Sequence, residues 1–148
     1  MKDVTVRDFQ ALAEFRYLMR GYLNGTDQEC RRVGLEPLHY YVLLQLVGLP
    51  SNEPPTIGFV AKRLFLRHHS AVELIDRMEA RKLVRRVRAG ADRRVVEVHV
   101  TPRAKERMRR LVKYRIQELG TLGPAFARAI EACFRRSRSG DNARLVAD

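Results

Sequence analysis

A mostly α-helical fold with a small β-hairpin is what this 148-residue sequence predicts. Three observations carry that expectation. Apolar residues recur at spacings of three and four through most of the chain, the period of a helix with one buried face. Between residues 83 and 100 the period gives way to alternation, with Val96, Val98 and Val100 separated by Glu97 and His99, the mark of a half-buried strand. Two short helical patterns stand just before that stretch, joined by a tight connection. Helix, turn, helix and basic hairpin in that order make a winged helix-turn-helix.

Residues 3–24 read as the first helix. Phe9, Leu12, Ala13, Arg16, Tyr17, Arg20 and Leu23 or Tyr22 recur at spacings of three and four, and Phe15, Leu18, Met19 and Tyr22 form a second stripe. A helix apolar on two sides is usually buried between partners. Asn24-Gly25 is its expected stop, and residues 26–33 could continue as a short polar helix. Gly34 to Pro37 is a break, and Pro37 suits the first turn of the next helix, where its missing N–H costs nothing. That helix runs through Leu38, Tyr41, Val42, Leu44 and Leu46 to Gly48. Three prolines between Leu49 and Pro55 make a loop. Thr56 caps a helix over Ile57–Leu64, with Ile57, Val60, Ala61 and Leu64 on one face. After Phe65–Arg67 comes a helix over 68–80 whose Ala71, Leu74, Ile75 and Met78 form a buried stripe.

Leu83–Arg88 reads as a strand, Ala89–Arg94 as a turn, and Val96–Val100 as the returning strand. Thr101-Pro102 looks like an N-cap followed by proline at the first helical position. A very basic helix is expected over Arg103–Leu119, with Met108, Leu111, Val112 and Ile116 as its apolar line. Gly120–Pro124 should break it, Ala125–Phe134 should form a last amphipathic helix, and Arg135–Asp148 should fray.

Charge narrows the function. Lys and Arg number 29 against 17 Asp and Glu, a formal net charge of +12. Lys62–Arg115 holds 18 of the cations and 6 of the acids, so the whole excess sits in that third of the chain. A solvated face usually mixes signs, so segregation points to a polyanion, with nucleic acid ahead of a membrane surface. The run Arg103–Arg115 is short of aromatics and the chain has no Trp, which counts against a membrane-surface helix. No apolar run approaches about 18 residues, so no membrane span is expected, and Met1-Lys2-Asp3 does not open a signal peptide. Cys30 and Cys133 cannot build a disulfide framework, which makes the cytoplasm the default compartment. Arg31-Arg32 could lower the Cys30 pKa for redox sensing, but a free buried cysteine is the commoner case. Nucleophile-elbow, Walker, dinucleotide-binding and zincin motifs are all missing, so no enzyme, cofactor or metal is expected.

The remaining chemistry suits duplex DNA. With its apolar stripe facing inward, the 68–80 helix turns His69, Ser70, Glu73, Asp76 and Arg77 outward. Arg67, His68, His69, Ser70 and Glu73 stand in the half that normally reads bases, where His and Ser can donate to guanine and Glu73 can accept from cytosine N4. Arg77, Arg81, Lys82 and Arg88 are placed for phosphates. An arginine-bearing hairpin tip can enter the electronegative minor groove. His68 and His69 are neighbours on a helix, about 100° apart, and such pairs rarely share one metal ion. His99 is read as solvated and His39 as a satisfied interface histidine.

The sequence resembles the MarR family of bacterial transcription regulators. The likeness rests on Glu14–Arg20, Pro55–Leu64, Val72–Val84 and the wing Asp92–Pro102, whose Asp-Arg-Arg followed by an alternating strand and Thr-Pro is the strongest mark. The resemblance implies a homodimer with intertwined first and last helices. Residues 1–35 and 103–148 would then form the dimerisation region and 36–102 the DNA-binding lobe. It implies that Asp92 holds Arg93 or Arg94 for the minor groove. It also implies a small anionic or phenolic effector, which Arg16, Tyr17, Arg20, His39 and Tyr40 would face. The chain departs from the family pattern with Val72-Glu73 in place of Thr-Arg, Arg67 in place of a capping Ser or Asp, and Lys82 in place of a glycine. The function expected is a sequence-specific regulator, a repressor on a pseudopalindromic operator. The alternatives are a winged helix that binds RNA or the ribosome, or one used only for protein contacts.

Overall fold

The computed structural model describes residues 4–91 and 94–141, with side chains described as far as Arg135. The elements in order are α1 (Val6–Arg32), α2 (Pro37–Val47), α3 (Ile57–Leu64), α4 (His68–Ala80), β1 (Val84–Arg88), β2 (Val96–Val100) and α5 (Pro102–Asp141). The mostly helical class with a small antiparallel hairpin is the one the sequence predicts. The chain divides into two compact units, Met1–Thr26 with Tyr114–Asp148, and Asp27–Lys113.

The unit Asp27–Lys113 holds a continuous hydrophobic core. Val42 and Leu43 of α2, Val60 of α3, Leu74, Ile75 and Met78 of α4, and Val84 and Val98 of the hairpin meet there. The helix starts follow local chemistry. Thr56 Oγ1 accepts the Phe59 N–H at 3.1 Å, capping α3. Pro37 opens α2, and the Ala104 N–H donates to Thr101 Oγ1 at 3.3 Å at the head of α5.

The ends of α1, α3 and α4 share one device. In each, a residue with positive φ is followed by a leucine whose N–H reaches back to a carbonyl of the last turn. Leu35 donates to Cys30 O at 2.9 Å, Leu66 to Ala61 O at 2.9 Å, and Leu83 to Met78 O at 2.9 Å. This is the Schellman arrangement, which satisfies carbonyls that a helix end leaves open. The left-handed positions are Gly34, Phe65 and Lys82, with φ of 68°, 55° and 56°.

β1 and β2 pair antiparallel with Val84 opposite Val100 and Arg88 opposite Val96. The loop before α3 adds to their edge. The Val98 N–H donates to Pro55 O at 2.6 Å, and Thr56 bridges Glu97. That third rung was not legible in a segment with three prolines.

In the unit Met1–Thr26 with Tyr114–Asp148, two expected breaks are absent. α1 passes through Asn24-Gly25 without stopping. Gly25 is there for space, since a Cβ would come within 3.1 Å of Arg115 Nη1. Arg115 is buried. Its Nη2 donates to Tyr22 O at 2.5 Å, its guanidinium lies 4.2 Å from the Tyr22 ring centre, and its Nη1 pairs with Glu118. α5 likewise runs through Gly120–Pro124. An internal proline clashes with the carbonyl four residues back, and here that residue is Gly120, whose backbone can give way. Packing beyond the proline holds the helix together, with Phe126 edge-on to Tyr22 at 6.5 Å and Ala129 buried. The helix also continues past Phe134 to Asp141, where fraying was expected, and residues 142–148 of that stretch lie outside the described residues. Arginine is a good helix former without an apolar period to mark it.

Candidate nucleic-acid interface

α4 is two-faced. Ala71, Leu74, Ile75 and Met78 are buried, as their spacing predicts. Arg67, His68, His69, Glu73 and Arg77 are exposed or half-exposed, and Ser70 is half-buried. Arg67 occupies the N-cap with extended backbone and no side-chain cap, so the first N–H groups of α4 have no internal acceptor from it. That helix start is a place where backbone donors can meet a phosphate.

At the other end of α4 the cations divide. Arg81 pairs with Glu36, the N-cap residue of α2. Lys82 is exposed, and its left-handed backbone turns the chain into β1. Arg88, at the far end of β1, is at the surface, and Arg94 on the returning arm is exposed. Asp92 and Arg93 lie outside the described residues.

A contact that the sequence does not announce ties the hairpin to α4. Arg86 of β1 donates from its backbone N–H to Glu79 Oε1 at 2.9 Å, from Nη1 to Glu79 Oε2 at 2.6 Å, and from Nη2 to Asp76 Oδ1 at 2.6 Å. These bonds hold the Glu79 carboxyl below its ordinary pKa, first through the backbone N–H and then through the guanidinium. Burial pushes the Arg86 pKa down, but the bonds to Glu79 and Asp76 outweigh it and raise the value. One signal was available. Strand alternation puts Arg86 on the face of Val84, which faces the core, and an arginine there needs carboxylate partners.

The other predicted residues are divided between the two units. Arg16, Tyr17 and Arg20 lie on α1, with Tyr17 strongly exposed, while His39 and Tyr40 are buried in α2. Neither ring nitrogen of His39 has a hydrogen-bond partner among the described residues. Its Nε2 lies 3.5 Å from Glu36 Oε2. Burial lowers its pKa below 6.5, Glu36 opposes that shift, and Arg81 and Arg77 add to it. His99 is held by Glu97 at 2.7 Å rather than simply solvated. Cys30 is fully buried and Cys133 half-buried, and neither forms a disulfide among the described residues. Among the described residues no helix is long and apolar enough to cross a membrane.

The chain's relatives agree with this geometry. A family model described as the MarR family matches residues 33–95. An uncharacterized HTH-type transcriptional regulator of Bacillus subtilis, YsmB, is 31% identical over 112 residues, spanning 72% of this chain and 77% of the relative. The chain belongs to the MarR family. Solved structures share the fold of this MarR-family protein. AbsC, a MarR family transcriptional regulator from Streptomyces coelicolor, superposes with a TM-score of 0.69 at 18% identity, over 97% of this chain and 99% of AbsC. A mutant of S. aureus MepR bound to oligodeoxyribonucleotide has a TM-score of 0.62 at 17% identity, over 97% and 94% of the two chains. The Asp92–Pro102 stretch that carries the resemblance thus extends past the last residue that the family model matches.

Proposed function

We propose that this MarR-family protein binds operator DNA as a homodimer and represses transcription. Each α4 lies in a major groove, and the two grooves are about 34–36 Å apart, so the operator is a pseudopalindrome. His68, His69, Ser70 and Glu73 read base edges, Arg77 and Lys82 hold phosphates, and the Asp92–Arg94 tip enters the minor groove. The observation that carries this reading is the two-faced α4, whose buried stripe leaves a polar, cation-flanked outer face next to a basic hairpin. The MepR mutant of the same fold, bound to oligodeoxyribonucleotide, supports it.

Two copies are needed because one α4 reads only a half-site. Exposed apolar side chains on α1 and α5, among them Phe9, Leu12, Ile116 and Phe134, supply a surface for the second copy. A small anionic or phenolic molecule meeting Arg16, Tyr17 and Arg20 would release the DNA by changing the spacing of the two lobes.

A mobility-shift assay tests the reading. Replacing Arg93 and Arg94 with Ala is expected to weaken duplex binding strongly while the fold persists, and unchanged affinity would refute the wing's role. Glu73→Ala is expected to alter preference among duplex sequences more than overall affinity. A uniform change across sequences would remove Glu73 from base reading.

A further inference from the structure

We propose that the N-terminal part of α5 is a second phosphate-binding tract, in which Arg103, Arg107 and Arg110 meet the DNA backbone beside the groove that α4 occupies. This rests on the DNA-binding reading above and extends it beyond the helix-turn-helix and wing.

The charge of the basic segment is split. Residues 103–115 hold seven Lys and Arg against the one acid Glu106, which is half of the +12 excess of Lys62–Arg115. Arg103, Lys105, Arg107, Arg109, Arg110 and Lys113 are at the surface, while Ala104, Met108 and Leu111 are buried. Arg109 pairs with Glu106 at 3.2 Å. The other five form no ion pair among the described residues. In the helix-turn-helix and wing, Arg81 is taken by Glu36 and Arg86 by Asp76 and Glu79, while Arg63 donates to the neutral Gln45 and keeps its charge. Lys62, Arg67, Arg77 and Lys82 form no ion pair among the described residues either, so α5 adds five further unpaired cations to those of the helix-turn-helix. Five unneutralised cations on one short helical stretch repel one another, and a polyanion relieves that cost.

Placement favours the same duplex. Thr101 Oγ1 donates to Lys82 O at 2.9 Å and the Thr101 N–H donates to Leu83 O at 3.0 Å. The head of α5 is thereby fastened to the segment that ends α4, beside Arg81 and Lys82. Arg103, Arg107 and Arg110 follow at i, i+4 and i+7, one ridge of a helix. At 1.5 Å per residue the ridge is about 10 Å long, close to three base-pair steps along one strand. No aromatic residue lies between 103 and 113, so a lipid surface is a poorer match.

The test is a salt titration of full-length protein on a duplex of about 30 base pairs, long enough for two half-sites and their flanks. The triple variant Arg103→Gln, Arg107→Gln, Arg110→Gln is expected to flatten the slope of log K against log salt by about 0.9 for each phosphate it no longer neutralises. Its ranking of duplex sequences should be unchanged. The matching triple Lys variant should keep the wild-type slope. Should the Gln variant unfold, Arg110→Gln alone reads the same effect with a loss of about one unit of slope. A triple-Gln slope equal to wild type overturns the tract while leaving DNA binding by α4 intact. Wild-type protein with no salt-dependent duplex binding overturns both. A slope that falls only on a structured RNA hairpin assigns the ridge to RNA and overturns the tract as a DNA contact.

Discussion

Lys82 and Phe65 are side-chain-bearing residues at positions that favour glycine. Their φ values of 56° and 55° bring Cβ against the carbonyl, at about 1–2 kcal/mol relative to a glycine. Gly34 does the same work in α1 without that cost. Lys82→Gly is therefore expected to raise unfolding free energy by about 1 kcal/mol in a denaturant titration. The same variant should weaken duplex binding and shallow its salt slope by about one unit. A gain in stability with unchanged binding would remove Lys82 from the phosphate contacts. The other residue under local stress is His39, buried with neither ring nitrogen bonded among the described residues. Its folded pKa lies below the ordinary 6.5, chiefly through burial. As pH falls through 6.5 the unfolded chain takes up a proton that the folded chain refuses, so stability declines until the folded pKa is reached. The thermal midpoint is expected to drop between about pH 7 and pH 5.5, and His39→Leu should flatten that drop. An identical pH profile for the variant would show that other groups control it.

Between elements, the Arg86 clamp has the largest consequence. α4 carries Glu73, Asp76 and Glu79, three carboxylates on the helix that the proposed function brings close to phosphates. Arg86 neutralises two of them and fixes the root of the hairpin on α4. Arg86→Met is expected to weaken duplex binding about tenfold or more, through a freed pair of carboxylates and a loosened wing. Arg86→Lys, which can hold only one carboxylate well, should recover part of it. A Met variant with wild-type affinity and salt slope would make the clamp structural only. The clamp also marks the limit of what the sequence could convey. Helix starts were legible because Thr56, Pro37 and Thr101-Pro102 write their caps locally. The exposed face of α4 was legible because burial follows its period. Gly25 and Pro124 misled because their local signals are overridden by Arg115 and by packing on Tyr22. The partners of Arg86 were not legible because they sit on another element, and only the folded lobe brings the three together.

For the whole molecule, the decisive quantity is the apolar surface that one chain leaves in water. Phe9 is 67% exposed, Tyr17 71%, Ile116 64% and Phe134 63%, all within the unit formed by the chain's two ends. Side chains of this size are worth about 25 cal/mol for each Å² removed from water, and a stable interface buries about 1,200–2,000 Å². Both terminal helices carry such side chains, so charge placed on both should prevent the proposed association of two copies. The core of Asp27–Lys113 is complete without those residues, which allows assembly and folding to be separated. The double variant Leu12→Glu, Phe134→Glu is expected to run as a monomer by light scattering, with the folded lobe retained in its circular dichroism. Each lobe would then bind a half-site alone. Losing the effective concentration that links two half-sites lowers affinity for a full operator by about 10²–10⁴-fold. A variant that stays dimeric would place the interface elsewhere on the chain. A monomer that still binds the full site as tightly would mean that one α4 and its wing suffice.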